Sequence, residues 1–139
     1  MFKNILLAFD GSEHSLRTVS KTIDIAKLTR DSKVWVLYVL SDDKTKTEVL
    51  NLWEAKGIKE ERLERFKVAE ETAKRNEVQY EIKLIRGNPE SKIIEFADQN
   101  QIDIIVIGSR GLNPLQSMML GSVSHRVMKK ASCPVMIIK

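Results

Sequence analysis

Five short apolar segments, separated by longer segments of a different character, constrain the fold of this chain more than any other feature. Residues 5–9, 34–40 and 102–107 are almost uninterrupted runs of apolar side chains, as is typical of strands covered on both faces. Residues 78–84 alternate apolar and polar side chains, which indicates a strand with one exposed face or a place near a sheet edge. Residues 135–138 are again apolar and are predicted to close the chain as a fifth strand.

Most of the segments between these strands carry helical patterns. Residues 16–26 place apolar side chains at three- and four-residue steps, and residues 60–76 repeat that spacing among many charges. A third helix is predicted to start at Asn88 and Pro89, a favoured cap followed by a favoured first residue. The side chains predicted on its inward face are Ile93, Ile94 and Ala97, flanked by Phe96. The last helical pattern covers residues 123–131.

This alternation of strands and helices predicts an α/β fold. Crossover helices between successive strands imply an open, doubly wound, five-stranded parallel sheet with helices on both faces. We predict the strand order 3-2-1-4-5, because the half-polar third strand then lies at an edge. The length suits a single domain over residues 1–139. Residues 41–58 are the least readable part of the chain: the polar residues 41–45 are predicted as loop, and Val49, Leu50 and Trp53 are compatible with the start of a helix that Gly57 interrupts.

Composition limits the partners of such a domain. The net charge is +4 and residues of both signs are interleaved, so we expect no nucleic-acid partner. No apolar run approaches the ~20 residues that span a bilayer, so we expect no membrane partner either. Cys133 is the single cysteine, which excludes an internal disulfide, and the first residues lack the pattern of a signal peptide. These features predict a cytoplasmic protein.

A glycine-rich segment, residues 108–124, joins the fourth predicted strand to the last predicted helix. The first N–H groups of a helix lack intrahelical acceptors, and the helix dipole adds partial positive charge there, so this arrangement favours an anion. The glycines allow positive φ or close approach to a ligand, and serines add hydroxyl groups at the helix start. These residues are Gly108, Gly111, Gly121, Ser122 and Ser124.

The spacing of this segment, G-x2-G-x9-G-S, distinguishes it from other phosphate-binding loops. It lacks the Lys-Ser or Lys-Thr of the Walker loop and the G-x-G-x-x-G of the dinucleotide fingerprint. The spacing matches the ATP-binding motif of the universal stress protein family, and the chain resembles that family over essentially its whole length. Further stretches that carry the resemblance, in the same order, are residues 3–12, 87–94, 103–111, 121–124 and 133–135.

The resemblance implies an adenine nucleotide, ATP with AMP or ADP as alternatives, accompanied by Mg²⁺. The residues expected at the nucleotide are Ala8, Asp10, Val39, Gly108, Ser109, Arg110, Gly111, Leu112, Asn113, Gly121, Ser122, Val123 and Ser124. Asp10 is expected near the ribose or near a Mg²⁺ carried by the phosphates. The residues alone leave structural alternatives open: Asp10 with Glu13 resembles a helix-capping pair, and Val39 resembles an ordinary core residue.

Three functions from different classes remain open at this point. The first is an ATP-binding stress or regulatory protein. The second is a slow ATP hydrolase that uses the same crevice, although the Walker-type lysine is missing. The third is an interaction module without nucleotide.

The predicted fifth strand indicates how two copies of this chain would pair. Val135, Met136, Ile137 and Ile138 would form a wholly apolar edge, and natural proteins cover or pair such edges. Pairing with a second copy about a two-fold axis gives a closed homodimer, and the family resemblance implies the same. The alternative to a homodimer is a short, unpaired edge strand that is capped by the charged Lys139.

Overall fold

Strands and helices alternate along the chain in a computed structural model that describes residues 1–40, 60–109 and 121–139. The predictions that concern residues 41–58, and those for Arg110, Gly111, Leu112 and Asn113, lie outside the described residues. The elements are β1 (Asn4–Ala8), α1 (Glu13–Ala26), β2 (Lys33–Leu40), α2 (Glu60–Arg75), β3 (Gln79–Arg86), α3 (Pro89–Gln99), β4 (Ile104–Gly108), α4 (Ser122–Lys130) and β5 (Val135–Ile138).

The five strands form one parallel sheet in the order β3-β2-β1-β4-β5, which confirms the predicted α/β fold and strand order. β1 lies at the centre, where Leu6 is in register with Trp35 of β2 and Ile105 of β4. The half-polar β3 and the apolar β5 are the two edges. The direction of the strand order therefore reverses between β1 and β4.

Two hydrophobic clusters cover opposite faces of the sheet. On the first face, Ile5, Leu7 and Val106 pack with buried side chains of α1 and α2. On the second face, Leu6 and Ile105 pack with buried side chains of α3 and α4. This division follows from right-handed crossovers, because α1 and α2 carry the chain from β1 toward one edge and α3 and α4 carry it toward the other. No helix in the described ranges is long and apolar enough to cross a membrane.

Some predicted details differ from the structure for local reasons. β4 begins at Ile104 instead of residue 102, and Asp103 Oδ2 accepts the backbone N–H groups of Lys3 and Asn4 at 2.9 and 2.8 Å. In α3, Phe96 is buried and Ile94 is only half-buried, so their predicted roles were wrong. Phe96 packs edge-on against Trp35, with ring centroids 5.6 Å apart, which accounts for its burial.

Gly87 fixes the turn between β3 and α3. It is buried, its N–H donates to Leu40 O at 2.8 Å, and its φ is 145°, a value that residues with a side chain rarely adopt. A Cβ added at this position would lie 2.8 Å from Lys92 Cε. The turn therefore requires glycine chiefly for its backbone conformation, because the Lys92 side chain can move.

We expect Gly87→Ala to lower the free energy of unfolding by about 1–2 kcal/mol through backbone strain. Urea denaturation followed by circular dichroism measures the change. The double variant Gly87→Ala/Lys92→Ala is the control, since it removes the steric neighbour and keeps the strain. Full recovery of stability in the double variant would show that the clash, and not the backbone conformation, matters.

Candidate functional site

The carboxyl edge of the sheet brings together residues that are far apart in the sequence. All five strands are parallel, so β1, β2 and β4 end at the same edge. Ala8 is in register with Leu37 of β2 and Ile107 of β4, so Asp10, Val39 and Gly108 follow at neighbouring strand ends. In parallel α/β sheets, ligands bind at this edge where the strand order reverses, and here that point lies between β1 and β4.

The loop from Asp10 to Ser12 leads from β1 into α1 through a tight turn. Asp10 Oδ1 accepts the N–H of Ser12 at 2.9 Å, and Gly11 has φ 75°. Ser12 is the N-cap of α1, and its Oγ accepts the N–H of Ser15 at 3.3 Å. The alternative in which Asp10 caps this helix is therefore wrong. One oxygen of Asp10 serves the turn, and an ionised carboxylate has about four acceptor positions in all.

The two ends of the glycine-rich segment meet beyond β4. The N–H of Gly121 donates to Ser109 O at 2.7 Å, and the N–H of Ser109 donates to Ile138 O at 2.8 Å. Ser124 is buried, and its Oγ donates to Gly108 O at 2.6 Å. The start of α4 is thereby fixed against the end of β4.

The start of α4 has the properties of an anion site. Its N-cap, Gly121, has φ −61° and ψ 153° and makes no side-chain hydrogen bond to the helix. The N-cap residue therefore supplies no side-chain acceptor to the first N–H groups of α4, which belong to Ser122, Val123 and Ser124.

The side chains at this helix start differ in what they can contribute. Ser122 is exposed and Val123 is half-buried, whereas the hydroxyl proton of Ser124 is already donated to Gly108. The prediction allowed the glycines either a positive φ or close approach to a ligand. Gly121 is extended, and the glycines with positive φ among the described residues are Gly11 and Gly87. For Gly121 the second alternative remains, in which its small size would let a ligand approach the backbone.

Two arginines of α2 contact this region, and sequence reasoning missed both. Arg65 Nη1 donates to Gly11 O at 2.8 Å, and Arg62 Nη1 donates to Tyr38 Oη at 3.0 Å. In the sequence they are part of a strongly charged helix whose polar side chains resemble a solvated face. The available signal was the spacing of Arg62, which lies four residues before the buried Phe66 and three residues before Arg65 and is therefore a helical neighbour of both.

Other reactive side chains of the described residues offer no second centre. No group of three His, Cys, Asp or Glu in the described ranges could hold a metal ion. His125 is exposed, whereas His14 Nε2 lies 3.0 Å from Ile138 O. Burial raises the pKa of the Cys133 thiol, which disfavours a reactive thiolate.

We expect Ser124→Ala to lower the free energy of unfolding by about 1–3 kcal/mol, because it leaves the buried carbonyl of Gly108 without this donor. Thermal denaturation measures the loss. Ser122→Ala is the matched control, since the exposed hydroxyl of Ser122 lies in the same helical turn. Equal stability of the two variants would contradict a structural role for the Ser124 hydroxyl.

Comparison with known proteins gives one consistent result. The model of the universal stress protein family matches residues 1–139. Universal stress protein MJ0531 of Methanocaldococcus jannaschii is 34% identical over 142 residues, which cover 100% of this chain and 83% of that relative.

Solved structures agree with this result. The structure of hypothetical protein MJ0577 has a TM-score of 0.83 at 26% identity and covers 100% of this chain and 96% of its own. The universal stress protein of Archaeoglobus fulgidus, solved in complex with dAMP, has a TM-score of 0.71 at 25% identity and covers 100% of this chain and 98% of its own. With its whole length matched by the family model and by a relative above 30% identity, this chain belongs to the universal stress protein family.

Proposed function

We propose that this protein binds an adenine nucleotide, ATP in the first place, at the carboxyl edge of the sheet and uses it as a regulatory signal in a stress response. The observation that carries the proposal is the start of α4. A helix whose N-cap has no side chain is fixed to Ser109 at the end of β4, at the point where the strand order reverses. Such a helix start suits a phosphate group.

The neighbouring strand ends supply complementary groups for the rest of the nucleotide. Ala8 and Val39 offer backbone and apolar surface for the adenine, and Asp10 offers a carboxylate for a ribose hydroxyl. The phosphates would contact residues 108–113 and 121–124. A Mg²⁺ ion carried by the phosphates would neutralise their charge, with Asp10 as the nearest carboxylate in this loop. The dAMP bound by the Archaeoglobus relative supports the choice of an adenine nucleotide.

Slow hydrolysis of ATP in the same crevice is the second candidate. It would require a positioned water molecule and groups that stabilise the transferring phosphoryl group. The chain has Asp10 and Arg110 for these purposes and lacks a Walker-type lysine, so we expect no rapid turnover. Incubation with excess ATP, compared with a buffer control for ADP release, tests this candidate.

Equilibrium dialysis with ATP, AMP and GTP at equal concentrations tests the main proposal. We expect retention of ATP, and of AMP to a smaller extent, with little retention of GTP. Mass spectrometry of small molecules released by denaturing the purified protein identifies a ligand that co-purifies. If dialysis shows no retention of any of the three nucleotides and mass spectrometry finds no released nucleotide, the protein is better described as an interaction module without nucleotide.

We also propose that two copies pair through β5 and that the nucleotide influences this pairing. β5 is an edge strand whose four residues, Val135, Met136, Ile137 and Ile138, are apolar and only half-buried. Ile138 O accepts the N–H of Ser109, so the end of β5 is bonded to the start of the glycine-rich segment. A cytoplasmic location remains part of the proposal, because the single cysteine suits a reducing compartment.

A further inference from the structure

The loop that carries Asp10 is held from outside by α2, a helix that contributes none of the predicted site residues. α2 follows β2 in the chain, and a crossover helix of a parallel sheet begins near the carboxyl edge. Its first turns therefore lie close to the end of β1. Two of its arginines, Arg62 and Arg65, make defined contacts with this loop or with the strand beside it.

Arg62 packs against the turn with its aliphatic stem. A Cβ added at Gly11 would lie 3.0 Å from both Cβ and Cγ of Arg62 and 3.2 Å from its Cδ. The guanidinium group continues to Tyr38 on β2, where Nη1 donates to the phenolic oxygen at 3.0 Å. Gly11 is therefore covered by the Arg62 stem, which would have to shift to admit a side chain at this residue.

Arg65 acts on the peptide unit between Gly11 and Ser12. Its Nη1 donates to the carbonyl oxygen of that unit at 2.8 Å, and the N–H of the same unit donates to Asp10 Oδ1 at 2.9 Å. A peptide unit is planar, so a donor that fixes the direction of its carbonyl also fixes the direction of its N–H. The bond from a guanidinium is charge-assisted and polarises the unit, which strengthens the hydrogen bond that the N–H makes.

We propose that Arg65 is a positioning residue for the nucleotide site, because it orients the Asp10 carboxylate through the Gly11–Ser12 peptide unit. This inference rests on the proposed nucleotide-binding function. Arg65 itself need not contact the ligand. Its effect is to keep Asp10 in one orientation before the ligand arrives, which reduces the ordering cost of binding.

The test compares Arg65→Gln, Arg65→Lys and Arg75→Gln by two readouts. Arg75 is an exposed residue in the last turn of α2, so its variant is the matched control for the loss of one positive charge. The first readout is amide hydrogen exchange of Ser12 in the free protein, and the second is ATP affinity by isothermal titration calorimetry. For Arg65→Gln we expect at least about tenfold faster exchange at Ser12 and about 5–10-fold weaker ATP binding.

The variants separate positioning from a general loss of stability. Arg65→Lys retains the charge and one donor, so we expect it to recover part of both effects, while Arg75→Gln changes neither. Exchange at amides of β1 and β4 in the sheet centre should stay the same in every variant. Unchanged Ser12 exchange in Arg65→Gln would overturn the inference, and so would faster Ser12 exchange with unchanged ATP affinity.

The two readouts also distinguish the failure of this inference from the failure of the proposed function. If the wild-type protein binds no adenine nucleotide, the proposed function fails and, with it, the role of Arg65 in ligand binding. The exchange of Ser12 then still decides whether Arg65 orders the loop.

Discussion

Replacing Gly121 with valine is expected to weaken ATP binding by about 100-fold while the fold survives, which corresponds to about 2.7 kcal/mol of binding free energy. Gly121 is the N-cap of α4, and its N–H donates to Ser109 O at 2.7 Å. A branched side chain at this position would occupy the space directly in front of the first N–H groups of α4. Phosphate oxygens would then be held away from the donors that we propose for them.

The backbone of Gly121 explains why the fold should tolerate valine. Its φ of −61° and ψ of 153° lie in the extended region, which residues with a branched side chain readily adopt. The N-cap preference for glycine over valine costs about 1 kcal/mol, which leaves most of the stability in place. Circular dichroism confirms the fold, and calorimetry measures the affinity for ATP.

Gly121→Ala serves as a graded control for this experiment, because a single methyl group blocks less of the approach. We expect its affinity to fall between those of the wild type and of Gly121→Val. If Gly121→Val binds ATP as tightly as the wild type and is correctly folded, the phosphates do not lie at the start of α4 and the proposed site must be abandoned.

The fold could be predicted from the sequence because the burial of each strand in a parallel sheet determines the pattern of apolar residues along it. The central strands are covered on both faces, so their segments are continuous in apolar residues, whereas the alternation in residues 78–84 marks an edge. The predicted ends of the strands were less accurate than the predicted strands themselves. Asp103 lies within the predicted strand of residues 102–107, but its carboxylate binds the backbone at the start of β1, a contact between residues about 100 positions apart.

The site was only partly predictable for a related reason. The glycine-rich spacing and the position of Asp10 after a strand are local patterns, and they identify the loop ends that meet at the carboxyl edge. Arg65 is recognised only by its contact with Gly11, 54 residues earlier in the chain. The hydroxyl of Ser124 likewise could not be assigned to Gly108 before the start of α4 was placed. Helical periodicity shows which face of α2 points inward but not which charged residue folds back onto a loop.

The second large effect is expected at the edge strand β5, where Ile137→Pro should convert a dimer into a monomer that remains folded. β5 pairs with β4. Pro134 O accepts a hydrogen bond from β4, and Ile138 O accepts one from Ser109, just beyond the end of β4. Backbone groups alternate in direction along a strand, so Met136 also faces β4, whereas the N–H and carbonyl of Ile137 point toward the open edge. Proline at residue 137 therefore removes a donor from the open edge and none from the pairing with β4.

Sedimentation velocity at micromolar concentration distinguishes the two states by mass. We expect the wild type at about twice the mass of one chain and Ile137→Pro at the mass of one chain, because a two-fold interface loses the same donor on both sides.

Ile137→Val is the matched control, since it keeps the donor and most of the apolar side chain and should remain dimeric. Met136→Pro gives the contrast, because it removes a donor to β4 and should destabilise the monomer itself. A wild-type protein that sediments as a monomer, or an Ile137→Pro variant that stays dimeric, would show that β5 does not pair two copies. The hydrogen bond between Ser109 and Ile138 could then not transmit an effect of the nucleotide to a dimer interface.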